Sequence, residues 1–246
     1  MEEVELEQKE LESLTDDEIV AIVEHGVLAF LYKGAVTWPI IQAIDTRASM
    51  AHTANPDRLL PSTALLGLAA SLGLEELCQA VQHHKIQSLH IANAVSELSV
   101  SRFYDLCDLE KASKAFLVNH FASMVASPPS FSGLKRADFI EIVSDDNLSV
   151  AEERTVFWGI VAWVESNNLP IVEFDALMPH VRLPLLPFED LEEIETSQWP
   201  PDSAVLRNKL NAAYRYRAAP PEKREALAVD LELSQTQHRA RSYSFI

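Results

Sequence analysis

The residues able to do chemistry in this chain are few, and their spacing does not suit it. His83 and His84 are adjacent, so on a helix their side chains point about 100° apart and make a poor chelate. Cys78 and Cys107 stand far apart with no C-x-x-C, and two cysteines make no disulfide framework. H-E-x-x-H, G-x-S-x-G, G-x-x-x-x-G-K-[ST] and G-x-G-x-x-G are all absent. Zinc-hydrolase, serine-hydrolase, P-loop and dinucleotide chemistries therefore lack their geometry. The densest carboxylate group, Asp145, Asp146, Glu152 and Glu153, sits at a helix start, where capping and the macrodipole account for it. The expectation is no catalytic residue, no metal and no cofactor.

That carboxylate group belongs to the most informative element, Ile142 to Val164, which reads IVSDDNLSVAEERTVFWGIVAWV. Asp145, Asp146 and Asn147 favour a turn. Ser149 and Glu152 have the S-x-x-E spacing of a capping box, which predicts a helix from about Val150. Along it Val156, Phe157, Ile160, Val161 and Val164 recur at helical spacing, giving one broad apolar face and leaving Glu152, Glu153, Arg154 and Glu165 for water. Trp158 and Trp163 lie about 140° apart around the helix, so one core face cannot hold both at its centre.

The rest of the chain reads as helices joined by short punctuated loops. Only six of 246 residues are glycine, which with the long apolar-periodic runs favours a mainly α fold. Residues 4–8 (VELEQ) have strand composition but are too few to assign. Thr15 and Glu18 make a second capping box, opening a mostly buried helix from Ile19 to about Gly34. Residues 40–61 have the composition of a loop insertion. Further helices are expected over 65–72, 74–83, 91–100, 101–106, 109–125, 131–143, 150–166 and 174–178. A last one is capped by Asp202 or Ser203 and carries Val205, Leu206, Leu210 and Ala213 on its apolar side. The ending TQHRARSYSFI reads as a flexible tail.

The formal charge of −17, from 20 basic and 37 acidic residues, weighs against nucleic acid and acidic membranes as partners, since both demand neutralising cations. A mildly basic stretch, Arg215 to Arg224, reads as a solvated helix face. No apolar run reaches the length needed to span a bilayer. The acidic start MEEVELEQKELE lacks the form of a secretory signal, and with two unpaired cysteines it points to a reducing, cytoplasmic setting, the nucleus included.

The order S-D-x-x-L-x-V-x-x-E followed by V-F-x-x-x-x-x-W-V in Ile142 to Val164 resembles the BACK domain that follows BTB domains in adaptors of cullin-RING ubiquitin ligases. Phe30 to Val36 (FLYKGAV) and Leu65 to Val81 (LLGLAASLGLEELCQAV) resemble the end of a BTB domain. Asn93, Val95, Leu98, Val100, Phe103, Leu109, Phe116, Leu117 and Phe121 fall at the apolar positions of the "three-box" helices and the start of BACK. Val181 to Leu186 (VRLPLL) resembles the element near its end. Five motifs in family order cover roughly residues 4 to 195.

The resemblance implies a partial BTB domain over 1–83 with the insertion at 40–61, a three-box and BACK domain over 84–196, and a closing helix and tail over 197–246. Its fold would be the C-terminal part of a BTB fold followed by an elongated array of BACK helix pairs. It assigns Leu148, Val150, Val156, Phe157, Ile160, Trp163 and Val164 to the BACK core. The implied function is a scaffold that links cullin-3 to a substrate protein, with Phe103 and Tyr104 as candidate cullin contacts. The family's first BTB strands, its main dimer helix and the repeated glycines of Kelch blades have no counterpart in the sequence. The family-type dimer is therefore not expected. An architectural or regulatory module that no longer binds cullin is the alternative reading.

Overall fold

The computed structural model describes residues 16–34, 36, 61–197 and 203–231. The 4–8 strand, the 40–61 insertion apart from Pro61, the Thr15 cap and the TQHRARSYSFI tail lie outside the described residues. All regular structure within them is helical, and the chain divides into two compact units, Met1–Ser113 and Lys114–Ile246.

The first unit holds α1 (Asp16–Lys33), α2 (Pro61–Ser71), α3 (Glu75–Gln87), α4 (Ala94–Phe103) and the start of α5 (Cys107–Asn119). Helix α2 packs against both α1 and α3. Val23 and Val27 of α1 meet Leu65, Leu66 and Ala69 of α2 and Leu77 and Val81 of α3, in a core that water does not reach. Among the described residues, Val23 and Val27 on one face of α1 are buried, whereas Val20, Leu28, Leu31 and Tyr32 are exposed, so the mostly buried helix expected here is buried in part. Helices α2 and α3 are separated at Gly73, whose φ is +67°. There the Leu74 amide reaches back to Ala69 O at 2.9 Å, a left-handed helix cap that glycine adopts without strain.

The second unit is built around α8 (Glu153–Ser166), nine of whose residues are buried. Around it stand α6 (Phe121–Ala126), the 3₁₀ turn Pro128–Phe131, α9 (Ile171–Leu177) and the turn Leu183–Leu185. Helices α7 (Arg136–Ser144), α10 (Phe188–Thr196), α11 (Ala204–Ala218) and α12 (Pro221–Asp230) complete it. Ser203 caps α11 as expected, its hydroxyl accepting from the Leu206 amide at 2.9 Å.

The expected capping box at Ser149 and Glu152 does not form. Helix α8 starts at Glu153, and the side chain of its N-cap Glu152 makes no capping hydrogen bond to a helix amide. Ser149 is drawn instead into tertiary structure, its amide donating to Val118 O at 3.1 Å, while Leu148 and Val150 on either side are buried. Packing of the two apolar neighbours outweighs a local cap worth about 1 kcal/mol. The helix expected at 101–106 is absent as well, because Ser101 to Phe103 end α4 and a turn follows. The 109–125 run breaks at His120, and the 131–143 helix begins only at Arg136. Helices α10 and α12 were not anticipated.

Candidate protein-interaction surface

The turn between α4 and α5 decides where Phe103 and Tyr104 point. Tyr104 caps α4, Asp105 lies in the left-handed region at φ +54°, and the Leu106 amide closes back on Ser101 O at 2.7 Å. That six-to-one bond over a left-handed residue is the Schellman ending of a helix. Its consequence is that consecutive aromatic rings part. Tyr104 turns in and packs with Leu106 and Val100 against the core of the first unit. Gly67 on α2 makes room for it, since a Cβ there would stand 2.8 Å from the Tyr104 hydroxyl oxygen. Phe103 turns out and is 79% exposed, its ring edge-on to Tyr104 with centroids 4.9 Å apart. Of the two candidate contacts, one is presented to solvent and the other is the platform beneath it.

Cys107 is exposed and Cys78 is half-buried beside the core, where burial pushes its thiol up from the ordinary range. A thiol that resists ionisation is a poor nucleophile. Among the described residues no group of three or more His, Cys, Asp or Glu side chains could hold a metal ion, and no helix is long and apolar enough to cross a membrane.

Leu148, Val150, Val156, Phe157, Ile160, Trp163 and Val164 are all buried in the second unit. Trp163 lies flat on Phe139, with centroids 4.7 Å apart and planes 8° from parallel, and its indole Nε1–H donates to Leu134 O at 2.9 Å. Phe131 meets Phe121 and Phe139 edge to face, and Phe121 lies tilted by 38° to Phe139. Trp158 is half-buried on the flank of α8, edge-on to Phe157.

The sequence does not announce the buried charged residues Lys85, Glu97, Asp138, Glu153 and Arg182. Lys85, 1% exposed, donates from Nζ to Glu97 Oε1 and to Thr63 Oγ1, each at 2.9 Å, tying α3, α4 and α2 together. Arg182 is buried, with its guanidinium on Asp146 and its backbone amide donating to Glu153 Oε1 at 3.0 Å. Glu153 is thus an interior acceptor, where the sequence placed it in water. The carboxylate group at 145–153 is accounted for by such bonds, Asp145 accepting from the Asn147 amide at 2.8 Å and Glu152 pairing with Arg154 at 3.2 Å. The periodic pattern holds no sign of these pairs. Only the placing of Lys85 four residues after Val81, on the line of Leu77 and Val81, signals that its stem is covered.

The family model described as "BACK: BTB And C-terminal Kelch" matches residues 94–195, from the first residue of α4 to within one residue of the end of α10. Residues 94–195 form a BACK domain like that of BTB–BACK, Kelch-like proteins. Kelch-like protein 2 of Homo sapiens is 30% identical over 162 residues, 65% of this chain and 27% of the relative. Kelch-like protein 28 of Mus musculus is 29% identical over 200 residues, 80% of this chain and 32% of the relative. Kelch-like protein 3 of Homo sapiens is 27% identical over 172 residues, 69% and 28% of the two chains. The chain spans about a third or less of these Kelch-like relatives. The turn bearing Phe103, the Trp163 stack and Arg182 all fall inside the BACK match.

Proposed function

We propose that this chain is a non-catalytic interaction scaffold of the cytoplasm, the nucleus included, joining cullin-3 of a RING ubiquitin ligase to a substrate protein. The observation that carries the reading is Phe103. A large ring 79% exposed at a helix end, fixed by a Schellman turn and backed by Tyr104, is prepaid in conformational entropy. Rigid aromatic anchors of this kind supply much of the energy of protein interfaces. The net charge of −17 steers the chain away from polyanions and towards protein partners. The BACK domain and the likeness to Kelch-like proteins supply the class of partner. Ubiquitin transfer itself would be done by proteins that the scaffold brings together.

Co-elution of the chain with the N-terminal domain of cullin-3 in size-exclusion chromatography tests the reading. A shared peak is the expected result, and separate elution at concentrations well above micromolar contradicts it.

A further inference from the structure

Helix α4 turns Ala94, Glu97, Leu98 and Ser101 inward. Glu97, Ser101 and Tyr104 follow one another at i, i+4 and i+7, along one stripe of the helix and its cap. Side chains tie both ends of that stripe to α2. At one end Glu97 Oε1 accepts from Lys85 Nζ at 2.9 Å, and the same ammonium donates to Thr63 Oγ1 at 2.9 Å. At the other end Tyr104 lies over Gly67, where a Cβ would stand 2.8 Å from its hydroxyl oxygen. Thr63 and Gly67 are in turn i and i+4, on one side of α2. A helix held at two points along one stripe does not roll about its axis. Phe103 stands about 100° round the helix from Tyr104, so the direction in which its ring meets solvent is set by that hold. The chemistry of the first tie fits such a task. An apolar pair would fill the space of Lys85 and Glu97 without the cost of burying two charges, whereas an ion pair with a third hydrogen bond also fixes angle and register.

We propose that Thr63 and Lys85 are positioning residues for the partner surface. The Thr63–Lys85–Glu97 relay and the Tyr104–Gly67 contact form a two-point clamp that aims Phe103. Lys85 and Glu97 are buried, so they act through the pose of the exposed ring and not by contact with a partner. The proposal rests on the reading of Phe103 as the partner anchor, and the pose of the ring can be read without any partner present.

The test compares side chains at position 63 that differ in the hydroxyl: wild type with Thr63→Val, and Thr63→Ser with Thr63→Ala. Lys85→Met combined with Glu97→Leu removes the same tie from its other side. Each full chain carries a single 4-fluorophenylalanine at position 103 and is read by ¹⁹F NMR alone, then by calorimetry against the N-terminal domain of cullin-3. The Tyr104 ring, edge-on with its centroid 4.9 Å from that of Phe103, makes the fluorine shift sensitive to the pose. Wild type and Thr63→Ser should share one narrow resonance. In Thr63→Val, Thr63→Ala and the double variant the resonance should move or broaden, and cullin-3 should bind about three- to tenfold more weakly. An unchanged resonance in the variants lacking the hydroxyl overturns the proposal. So does an equal change in Thr63→Ser, or full affinity in a protein whose resonance has moved. A moved resonance together with no cullin-3 binding by the wild type supports the clamp and counts against the proposed function instead.

Discussion

A methyl group at Gly159 would stand 2.4 Å from Phe121 Cζ and 2.7 Å from Cε1, so α6 and α8 approach as closely as they do because residue 159 has no side chain. Phe121 cannot retreat, being fully buried against Phe131 and Phe139. Alanine is worth roughly 1 kcal/mol over glycine inside a helix, and overpacking a filled core costs about 1–3 kcal/mol. With contacts this short the second effect wins. Gly159→Ala should lower stability by about 2 kcal/mol in urea denaturation. Gly67→Ala should be near neutral, because the atom it meets is the far end of a half-buried tyrosine.

Trp163 contributes through area, stacking and one hydrogen bond. Trp163→Ala should cost about 3–5 kcal/mol through lost transfer energy and the cavity left behind. Trp163→Phe keeps a ring on Phe139 but strands the Leu134 carbonyl, at a cost of about 1–3 kcal/mol. Equal urea midpoints for wild type and Trp163→Ala would refute the packing described for α8.

The buried Lys85–Glu97 pair should behave asymmetrically. Removing one partner, as in Lys85→Met or Glu97→Gln, leaves an interior charge uncompensated and should cost about 3–5 kcal/mol. Replacing both with apolar residues removes the charge altogether. Lys85→Met combined with Glu97→Leu should recover more than half of the single-variant loss, as read from the thermal midpoints of all four proteins.

Tyr214 carries a pH dependence with a fixed sign. Burial, followed by the bond its hydroxyl donates to Glu195 and the charge of Glu192, pushes its phenol up to about 12. An unfolded tyrosine titrates near 10. A raised value means the folded state holds the proton longer, so this contribution to stability is complete below about pH 10 and is lost as pH rises towards 12. Ultraviolet titration should lose a phenol titrating at about 12 in Tyr214→Phe, and the variant's stability should fall less over that window.

The sequence disclosed what periodicity and short motifs encode. The helical class and the apolar face of α8 follow from the spacing of Val156, Phe157, Ile160 and Val164, and Ser203 announced its own cap. Tertiary demands decided the rest. Ser149 had a capping spacing but gave its amide to Val118, and Glu153 was drawn inside by Arg182, 29 residues away. Asp105 was opaque for a related reason. Its left-handed backbone turns Phe103 out and Tyr104 in, and an aspartate in place of the usual glycine gives little notice of such a turn. Asp105→Gly should therefore raise stability by about 0.5–1 kcal/mol without moving either ring.

Calorimetric titration of the cullin-3 N-terminal domain into this chain and into Phe103→Ala tests the central claim most directly. An exposed aromatic anchor is worth about 1.4–2.7 kcal/mol here, so the variant should bind about ten- to a hundredfold more weakly at unchanged stability. Binding of equal strength by both proteins, or by neither, would contradict the account.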